Sequence, residues 1–310
     1  MLKLYKRYLV VKGKGNKSLN IEDTIKKSYA EGITDEFLKP IILAKKTIKN
    51  GDVLVWMNYR ADRAKQILNS IVNHDHFSEF ETEDLNELTC FTMMPVDKAI
   101  KTNHFLEPSK TSKPLGIYLS ELEFTQARIS ESEKYAHVTY FFDGGKEEKI
   151  PKCDKIHVPS PSVATYDLKP EMSCVEVTKK VISCMENDYD FILVNYANPD
   201  MVGHTGNMEA TTKACTAIDI CLGKLIEKAD ENFYKIILLA DHGNADTMIN
   251  EDGSPCTTHS CELVPFIICD KKVILKAKGD LTNVAPTILD YMDIAVPKEM
   301  ENTASLLTEE

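Results

Sequence analysis

Four short, almost unbroken runs of apolar residues constrain the fold of the second half of this chain most strongly. They are HVTYFF (137–142), FILVNY (191–196), KIILLA (235–240) and VPFIIC (264–269). Runs of this kind are typical of strands that are buried on both faces of a mostly parallel sheet. The segments VEVTKKVISCME and ATTKACTAIDICLGKLIEKA place apolar residues at helical spacing and predict amphipathic helices. We therefore expect an α/β fold, a mostly parallel sheet flanked by helices.

The first part of the chain predicts a separate α/β unit. Residues 20–50 predict a helix, a loop and a short strand, and residues 51–72 predict a strand that runs into a helix through the turn RADR. The segment HFLEPSKTSKPLG is rich in proline and serine, which is typical of an inter-domain linker. We expect two domains, residues 1–105 and residues 106–310.

The net charge indicates which partners to expect, and the cysteine content indicates which cellular compartment. The net charge of −11 argues against nucleic acid and anionic membranes as general partners, and no apolar run approaches the length of a membrane span. Residues 1–74 are locally basic, which fits either a site for a small anion or a solvated lysine-rich face. The nine cysteines are scattered and contain no CxxC pair, as expected for reduced thiols in a cytoplasmic protein.

Polar side chains stand next to three of the predicted strands. Asp200 and His204 follow FILVNY, Asp241 and His242 follow KIILLA, and His259 precedes VPFIIC. Each one alone is more often a hydrogen-bonded structural residue, and Asp241 alone would pass as a helix N-cap. Together they form a mixed carboxylate and imidazole set at one sheet edge, suited to Mn²⁺, Zn²⁺ or Co²⁺. Two such ions ~3.5–4 Å apart can hold the entering and leaving oxygens of a displacement at phosphorus.

Three cationic residues are candidates for binding an anion. Arg60 and Arg63 are three residues apart at a predicted helix start, where both guanidinium groups could hold one phosphate or carboxylate. The other interpretation is a surface helix start with Asp62 as the partner. Lys134 precedes the run HVTYFF and by itself would be an ordinary solvated lysine.

Several of these segments together resemble one enzyme family. The chain is similar to cofactor-independent (2,3-bisphosphoglycerate-independent) phosphoglycerate mutases, whose metal-binding domain belongs to the alkaline phosphatase superfamily. The resemblance is carried by SYAEGITDEFLKP, RISESEKYAHVTYFFDGG, VPSPSVATYDLKPEMS, FILVNYANPDMVGHTGN, ILLADHGNAD and THSCELVPFI. The resemblance is to the C-terminal portion of the family. It implies that residues 106–310 are the C-terminal part of an alkaline-phosphatase-like, metal-binding domain and that residues 1–105 are the C-terminal part of a second, α/β transferase domain.

The resemblance also implies an activity and a role for each candidate residue. The family are isomerases that interconvert 3-phosphoglycerate and 2-phosphoglycerate in glycolysis and gluconeogenesis without 2,3-bisphosphoglycerate. Two Mn²⁺ ions are implied, with Zn²⁺, Co²⁺ or Mg²⁺ as alternatives. Asp200, His204 and His259 would hold one ion, and Asp241 and His242 would contribute to the other. Arg60 and Arg63 match the substrate-gripping arginines, and Lys134 matches the active-site lysine, which is both catalytic and substrate-binding.

One part of the family pattern has no counterpart in this sequence. The Asp-Gly metal motif and the block with the nucleophilic serine are missing, and Ser160 and Ser162, in a proline-rich turn, do not replace that serine. We therefore expect a chain that is poorly stable alone. Three interpretations stay open: a mutase that needs an N-terminal segment supplied by the same or another chain, a metal-dependent phosphohydrolase, and a non-catalytic metal-binding remnant.

Overall fold

The chain divides into two compact units, Met1–Ser109 and Lys110–Glu310. The computed structural model describes residues 16–17, 20–33, 38, 41–42, 48–59, 64–73, 77–82, 85–97, 99–107, 113–146, 149–301 and 303–308. Assignment of the two parts of the chain to a transferase domain and a phosphatase-like domain stays a prediction.

The first unit contains a small parallel sheet with one helix packed on it. The three strands follow one another in chain order across the sheet: Val53–Trp56, Thr89–Thr92 and Asn103–His104. The strands Asn16–Lys17 and Ile41–Ile42 form a second parallel pair. Leu68 of the helix Ala64–Val72 is buried against Cys90 of the middle strand and against Ile100. The strand and the helix predicted over residues 51–72 are therefore both present. The elements are β1 (Asn16–Lys17), α1 (Ile21–Ala30), β2 (Ile41–Ile42), β3 (Val53–Trp56), α2 (Ala64–Val72), β4 (Thr89–Thr92) and β5 (Asn103–His104).

The second unit alternates strands and helices, as the apolar runs predict. Short 3-10 turns and one π-helix, His137–Phe141, connect some of its elements. Among the described helices, none combines the length and the apolar character that crossing a membrane requires. The elements are α3 (Leu115–Glu121), β6 (Gln126–Glu131), β7 (Cys153–Val158), α4 (Cys174–Glu186), β8 (Phe191–Asn195), α5 (Asn198–Gly203), α6 (Met208–Glu231), β9 (Ile237–Leu239), β10 (Phe266–Ile268) and α7 (Val284–Tyr291).

The central sheet of the second unit is parallel and has the order β7-β6-β8. Every residue of β6 is buried, and its apolar residues Ala127 and Ile129 pack against Val177 and Val181 of α4 and Leu225 of α6. Strands β9 and β10 form a separate antiparallel pair. The carboxyl ends of β6 and β8 therefore lie side by side, and the segments that follow them can share one site.

Two expectations about this sheet were wrong. The run HVTYFF was predicted as a strand, but residues 137–141 are helical, with Val138 and Thr139 buried and Tyr140 and Phe141 exposed. Its apolar residues are therefore divided between a buried side and an exposed side of the helix. Strands β6 and β7 were not predicted, because QARISE and CDKIHV carry polar side chains that are nonetheless buried or half-buried. As a result, Lys134 follows a strand instead of preceding one.

Candidate metal centre

The short helix α5 places an acid and a histidine on one face directly after β8. Pro199 stands in the first turn of α5, where its fixed φ suits a helix start. Asn198 is buried, and its Nδ2 donates to the carbonyl oxygen of Pro170 at 2.9 Å, which fixes the helix start. Asp200 and His204 are four residues apart, so their side chains lie one above the other. The local sequence therefore brings Asp200 and His204, two members of the cluster, next to each other.

His259 reaches the same cluster from the connection between β9 and β10. Its Nε2 lies 3.1 Å from Oδ1 of Asp200. The Nε2 of His204 lies 3.1 Å from the same oxygen and 3.2 Å from Nε2 of His259. Ligand atoms about 2.1 Å from one tetrahedral ion would be separated by about 3.4 Å, so the donors have the spacing of a metal site. In the described part of the chain, these three side chains form the group that could hold a metal ion.

The tautomer of His204 also favours a cation at this position. The Nδ1 of His204 lies 2.8 Å from the carbonyl oxygen of Thr257 and must donate to it. In the neutral ring, the lone pair on Nε2 then faces a carboxylate and a second imidazole, which is favourable only with a proton or a metal ion between them. A histidine held through its other nitrogen by a carbonyl is a common arrangement around metal ligands.

Lys134 and Asn244 complete the surroundings of Asp200. The ammonium group of Lys134, which is almost fully buried, donates to Oδ2, and Nδ2 of Asn244 donates to Oδ1 at 2.7 Å. Burial alone would raise the pKa of Asp200, but hydrogen bonds with His204, Lys134 and Asn244 outweigh it and hold that pKa well below its usual range. The same bond to Asp200 raises the pKa of His204. Asp200 is therefore a permanent anion at the centre of the cluster.

Asp241 and His242 lie beside this cluster. The ring of His242 stacks on the ring of His259, with centroids 3.8 Å apart and planes 24° apart. Its Nε2 lies 3.5 Å from Oδ2 of Asp241, so these two donors face one another. Burial and the neighbouring His242 lower the pKa of His259, which keeps that ring neutral and able to bind a cation. A second ion held by Asp241 and His242 stays a prediction.

The other candidate residues differ in whether the structure places them in the cluster. Arg60 and Arg63 lie outside the described residues. Lys134 lies in the cluster, although sequence alone gave it little weight. Asn244 was not predicted, and its sequence signal is position: it stands three residues after Asp241 in ADHGNAD.

Comparison with known proteins finds relatives that share one name. The chain is 47% identical over 297 residues to a 2,3-bisphosphoglycerate-independent phosphoglycerate mutase of Bacteroides fragilis (strain YCH46), with 94% of this chain and 59% of the relative covered. It is 44% identical over 303 residues to a protein of the same name from Clostridioides difficile (strain 630), with the same coverage. The chain thus spans about three fifths of the length of these curated relatives.

A solved structure and a family model cover the chain almost completely. The structure of Leishmania mexicana phosphoglycerate mutase at low cobalt concentration matches with a TM-score of 0.82 and 25% identity, over 99% of this chain and 60% of that one. The expected α/β fold of mostly parallel sheets flanked by helices is thereby confirmed. The model of the metalloenzyme superfamily matches residues 20–296, and the chain therefore belongs to the metalloenzyme superfamily.

Proposed function

We propose that this chain is the metal-binding portion of a 2,3-bisphosphoglycerate-independent phosphoglycerate mutase. The enzyme would be an isomerase that interconverts 3-phosphoglycerate and 2-phosphoglycerate in cytoplasmic glycolysis and gluconeogenesis. The observation that carries the proposal is the cluster of Asp200, His204 and His259 with Lys134 bonded to it. Relatives 44–47% identical to most of this chain bear that enzyme's name.

The donor set suits a divalent transition metal. Asp200, His204 and His259 would hold one Mn²⁺, while Asp241 and His242 would contribute to a second; Zn²⁺, Co²⁺ and Mg²⁺ are the alternative ions. When bound, such ions neutralise charge on phosphoryl oxygens.

The cationic side chains would bind and orient the substrate. The ammonium group of Lys134 lies against Asp200, where it can also attract a phosphoryl group to the cluster. Arg60 and Arg63 would grip the phosphoglycerate. Two bidentate guanidinium contacts could hold the glycerate while its phosphate moves between hydroxyl groups.

The nucleophile is expected from a further segment, supplied by the same or another polypeptide. Phosphoryl transfer through a covalent intermediate needs an activated hydroxyl, and among the described residues no serine hydroxyl bonds to Asp200, His204 or His259. Two strand edges support such a segment: in the described part of the chain β8 pairs only with β6, and β9 pairs only with β10. A strand inserted there would meet backbone groups ready to pair.

The test is conversion of 3-phosphoglycerate with added Mn²⁺, measured with and without the part of a relative that this chain does not cover. We expect activity only in the mixture. Activity from this chain alone would show that the nucleophile lies within it, and inactivity of a mixture that forms a stable complex would overturn the proposed mutase.

A metal-dependent phosphohydrolase is the second candidate. It is favoured by the same lack of a serine at the cluster, because a metal site can activate water without a protein nucleophile. Release of phosphate from p-nitrophenyl phosphate with Mn²⁺, together with no mutase activity in the mixture, would favour it. Metal binding with neither activity would favour the third interpretation, a non-catalytic remnant.

A further inference from the structure

Asn244 connects the loop after β9 to the acid of helix α5. The side chain is buried, with 5% of its surface exposed. Its Nδ2 donates to Oδ1 of Asp200 at 2.7 Å and lies 3.2 Å from the backbone carbonyl oxygen of the same residue. The acid is therefore tied to this loop through its side chain and its main chain together.

The partners of Asp200 are divided between its two oxygens. Lys134 bonds Oδ2, whereas Asn244, His204 and His259 face Oδ1. Rotation of the carboxylate about its Cβ–Cγ bond would break the bonds to Lys134 and Asn244 at the same time. Asn244 thus helps to determine which oxygen faces the two imidazole rings.

The rest of the Asn244 side chain argues against a simple packing role. Its Oδ1 is buried and has no hydrogen-bond partner among the described residues. A buried acceptor without a partner destabilises the folded chain, so an apolar residue would fill this space at lower cost. The amide is useful here for the donor that it directs at Asp200.

Gly203 shows how closely the amide is seated. A Cβ atom at position 203 would lie 2.2 Å from Oδ1 of Asn244 and 2.9 Å from its Cγ. Only glycine allows the last turn of α5 to approach the amide this closely. The sequence on both sides of the contact therefore accommodates the bond.

We infer that Asn244 is the positioning residue that orients Asp200 towards His204 and His259 and links their site to the loop that carries Asp241 and His242. The inference rests on the metal centre of the proposed function. Residues that orient metal ligands typically contribute about 10–100-fold to metal affinity.

The experiment is titration of the purified full chain with Co²⁺, followed by calorimetry and by the visible absorption spectrum of the saturated protein. For Asn244→Ala we expect Co²⁺ affinity to fall about 10–100-fold and the Co²⁺ band to change in position or intensity. A purely structural asparagine would lower the melting temperature but leave the spectrum at saturation unchanged. Asn250→Ala, an exposed asparagine of the same connection, is the control and should bind as the wild type does.

A second variant guards against poor folding of the first. Gly203→Ala keeps the amide but displaces it, and we expect the same loss of affinity, whereas Gly223→Ala, with no atom within 4 Å of its new Cβ, should change nothing. Wild-type affinity and an unchanged spectrum in Asn244→Ala or in Gly203→Ala would overturn the inference. Failure of the wild-type chain to bind Co²⁺ would instead overturn the metal centre, and the two failures are therefore distinguishable.

Discussion

At the scale of single residues, hydrogen bonds from outside the cluster hold two of its three candidate ligands, Asp200 and His204. The carbonyl oxygen of Thr257 fixes the ring of His204, and Lys134 and Asn244 hold the two oxygens of Asp200. Such contacts set the tautomer and direction of a ligand before an ion arrives. Asp200 and His204 are therefore preorganised and would need little rearrangement to bind a cation.

Removal of the His204 ring tests whether that ring binds the metal ion. His204→Ala deletes one of three donors, and we expect Mn²⁺ affinity to fall at least about 100-fold, because even residues behind the ligands contribute that much. Isothermal titration with Mn²⁺ measures it. His157→Ala is the matched control, since His157 is exposed and its ring bonds Ser132. Equal affinity in the wild type and His204→Ala would remove His204 from the ligand set.

The buried acid Glu131 makes a separate contribution that depends on pH. Burial raises the pKa of Glu131, although its carboxylate accepts hydrogen bonds from Ser160 Oγ at 2.9 Å and Ser173 N at 3.4 Å. A carboxyl group whose pKa is raised by folding favours the folded state when protonated, and that contribution is lost as pH rises through the raised pKa. Stability attributable to this group therefore falls from acid towards neutral pH.

The variant Glu131→Gln stays neutral at every pH and should avoid this loss. We expect its free energy of unfolding, measured with urea, to gain on that of the wild type as pH rises above 4.5, the ordinary pKa of a glutamate. Glu176→Gln, at an exposed position on α4, should show no such trend. A difference between Glu131→Gln and wild type that is constant with pH would contradict the raised pKa.

The sequence predicted the members of the cluster better than the residues that support them. Asp200, His204 and His259 could be named because each stands next to an apolar run, and the ends of buried strands meet at one sheet edge. The roles of Asn244 and Thr257 could not be predicted, because they rest on tertiary contacts, one of them with a backbone oxygen. Backbone acceptors leave no trace in residue identity.

At the scale of elements, the turn between α5 and α6 keeps the cluster at the end of β8. Gly206 has a φ of +70°, in the left-handed region that favours glycine. Asn207 then caps α6, with its Oδ1 accepting from the backbone N–H of Ala210 at 3.1 Å. This sharp turn lets the 24-residue helix α6 run back along the sheet.

Loss of the cap should weaken the whole unit by a modest amount. Asn207→Ala removes the acceptor for a helix N–H, and we expect the free energy of unfolding to fall by about 1 kcal/mol. Asn207→Ser keeps an acceptor and should fall by less. Urea denaturation compares the three proteins, and equal stability of Asn207→Ala and wild type would show that the cap contributes nothing.

Elements with regular apolar patterns were the ones that could be predicted. Strands β8, β9 and β10 fall within the segments that the apolar patterns indicated, and helices α4 and α6 cover the two segments predicted as helices and extend one or two residues beyond them. Strand β6 was missed because Gln126, Arg128 and Glu131 are charged or polar yet fully buried. Arg128 lies over the ring of Phe142, 4.2 Å from its centroid, and this aromatic contact is a tertiary feature that composition does not reveal.

At the scale of the whole molecule, the second unit presents strand edges that its own described residues do not pair. All five residues of β8 are only partly buried although four of them are apolar, and Leu239 of β9 and Ile267 of β10 are exposed. Edges of this kind destabilise an isolated chain and attract further strands. The expected poor stability of the chain alone has a physical basis in these residues.

Addition of the segment that completes the relatives should therefore stabilise this chain. We expect the mixture to have a higher melting temperature, and the amides of β8 that do not bond to β6 to exchange with deuterium more slowly. Amides of β6, which is already central, provide the internal control. Unchanged exchange across β8 in a mixture that forms a complex would show that the segment binds elsewhere.

The proposed function depends on Asp200, His204 and His259 together holding a divalent cation. The most direct measurement is anomalous diffraction at the manganese absorption edge, from crystals of this chain grown with Mn²⁺. We expect an anomalous peak between Oδ1 of Asp200 and the Nε2 atoms of the two histidines, within about 2.3 Å of each. Saturating Mn²⁺ with no peak at that position, or with the three side chains turned away from one another, would contradict it.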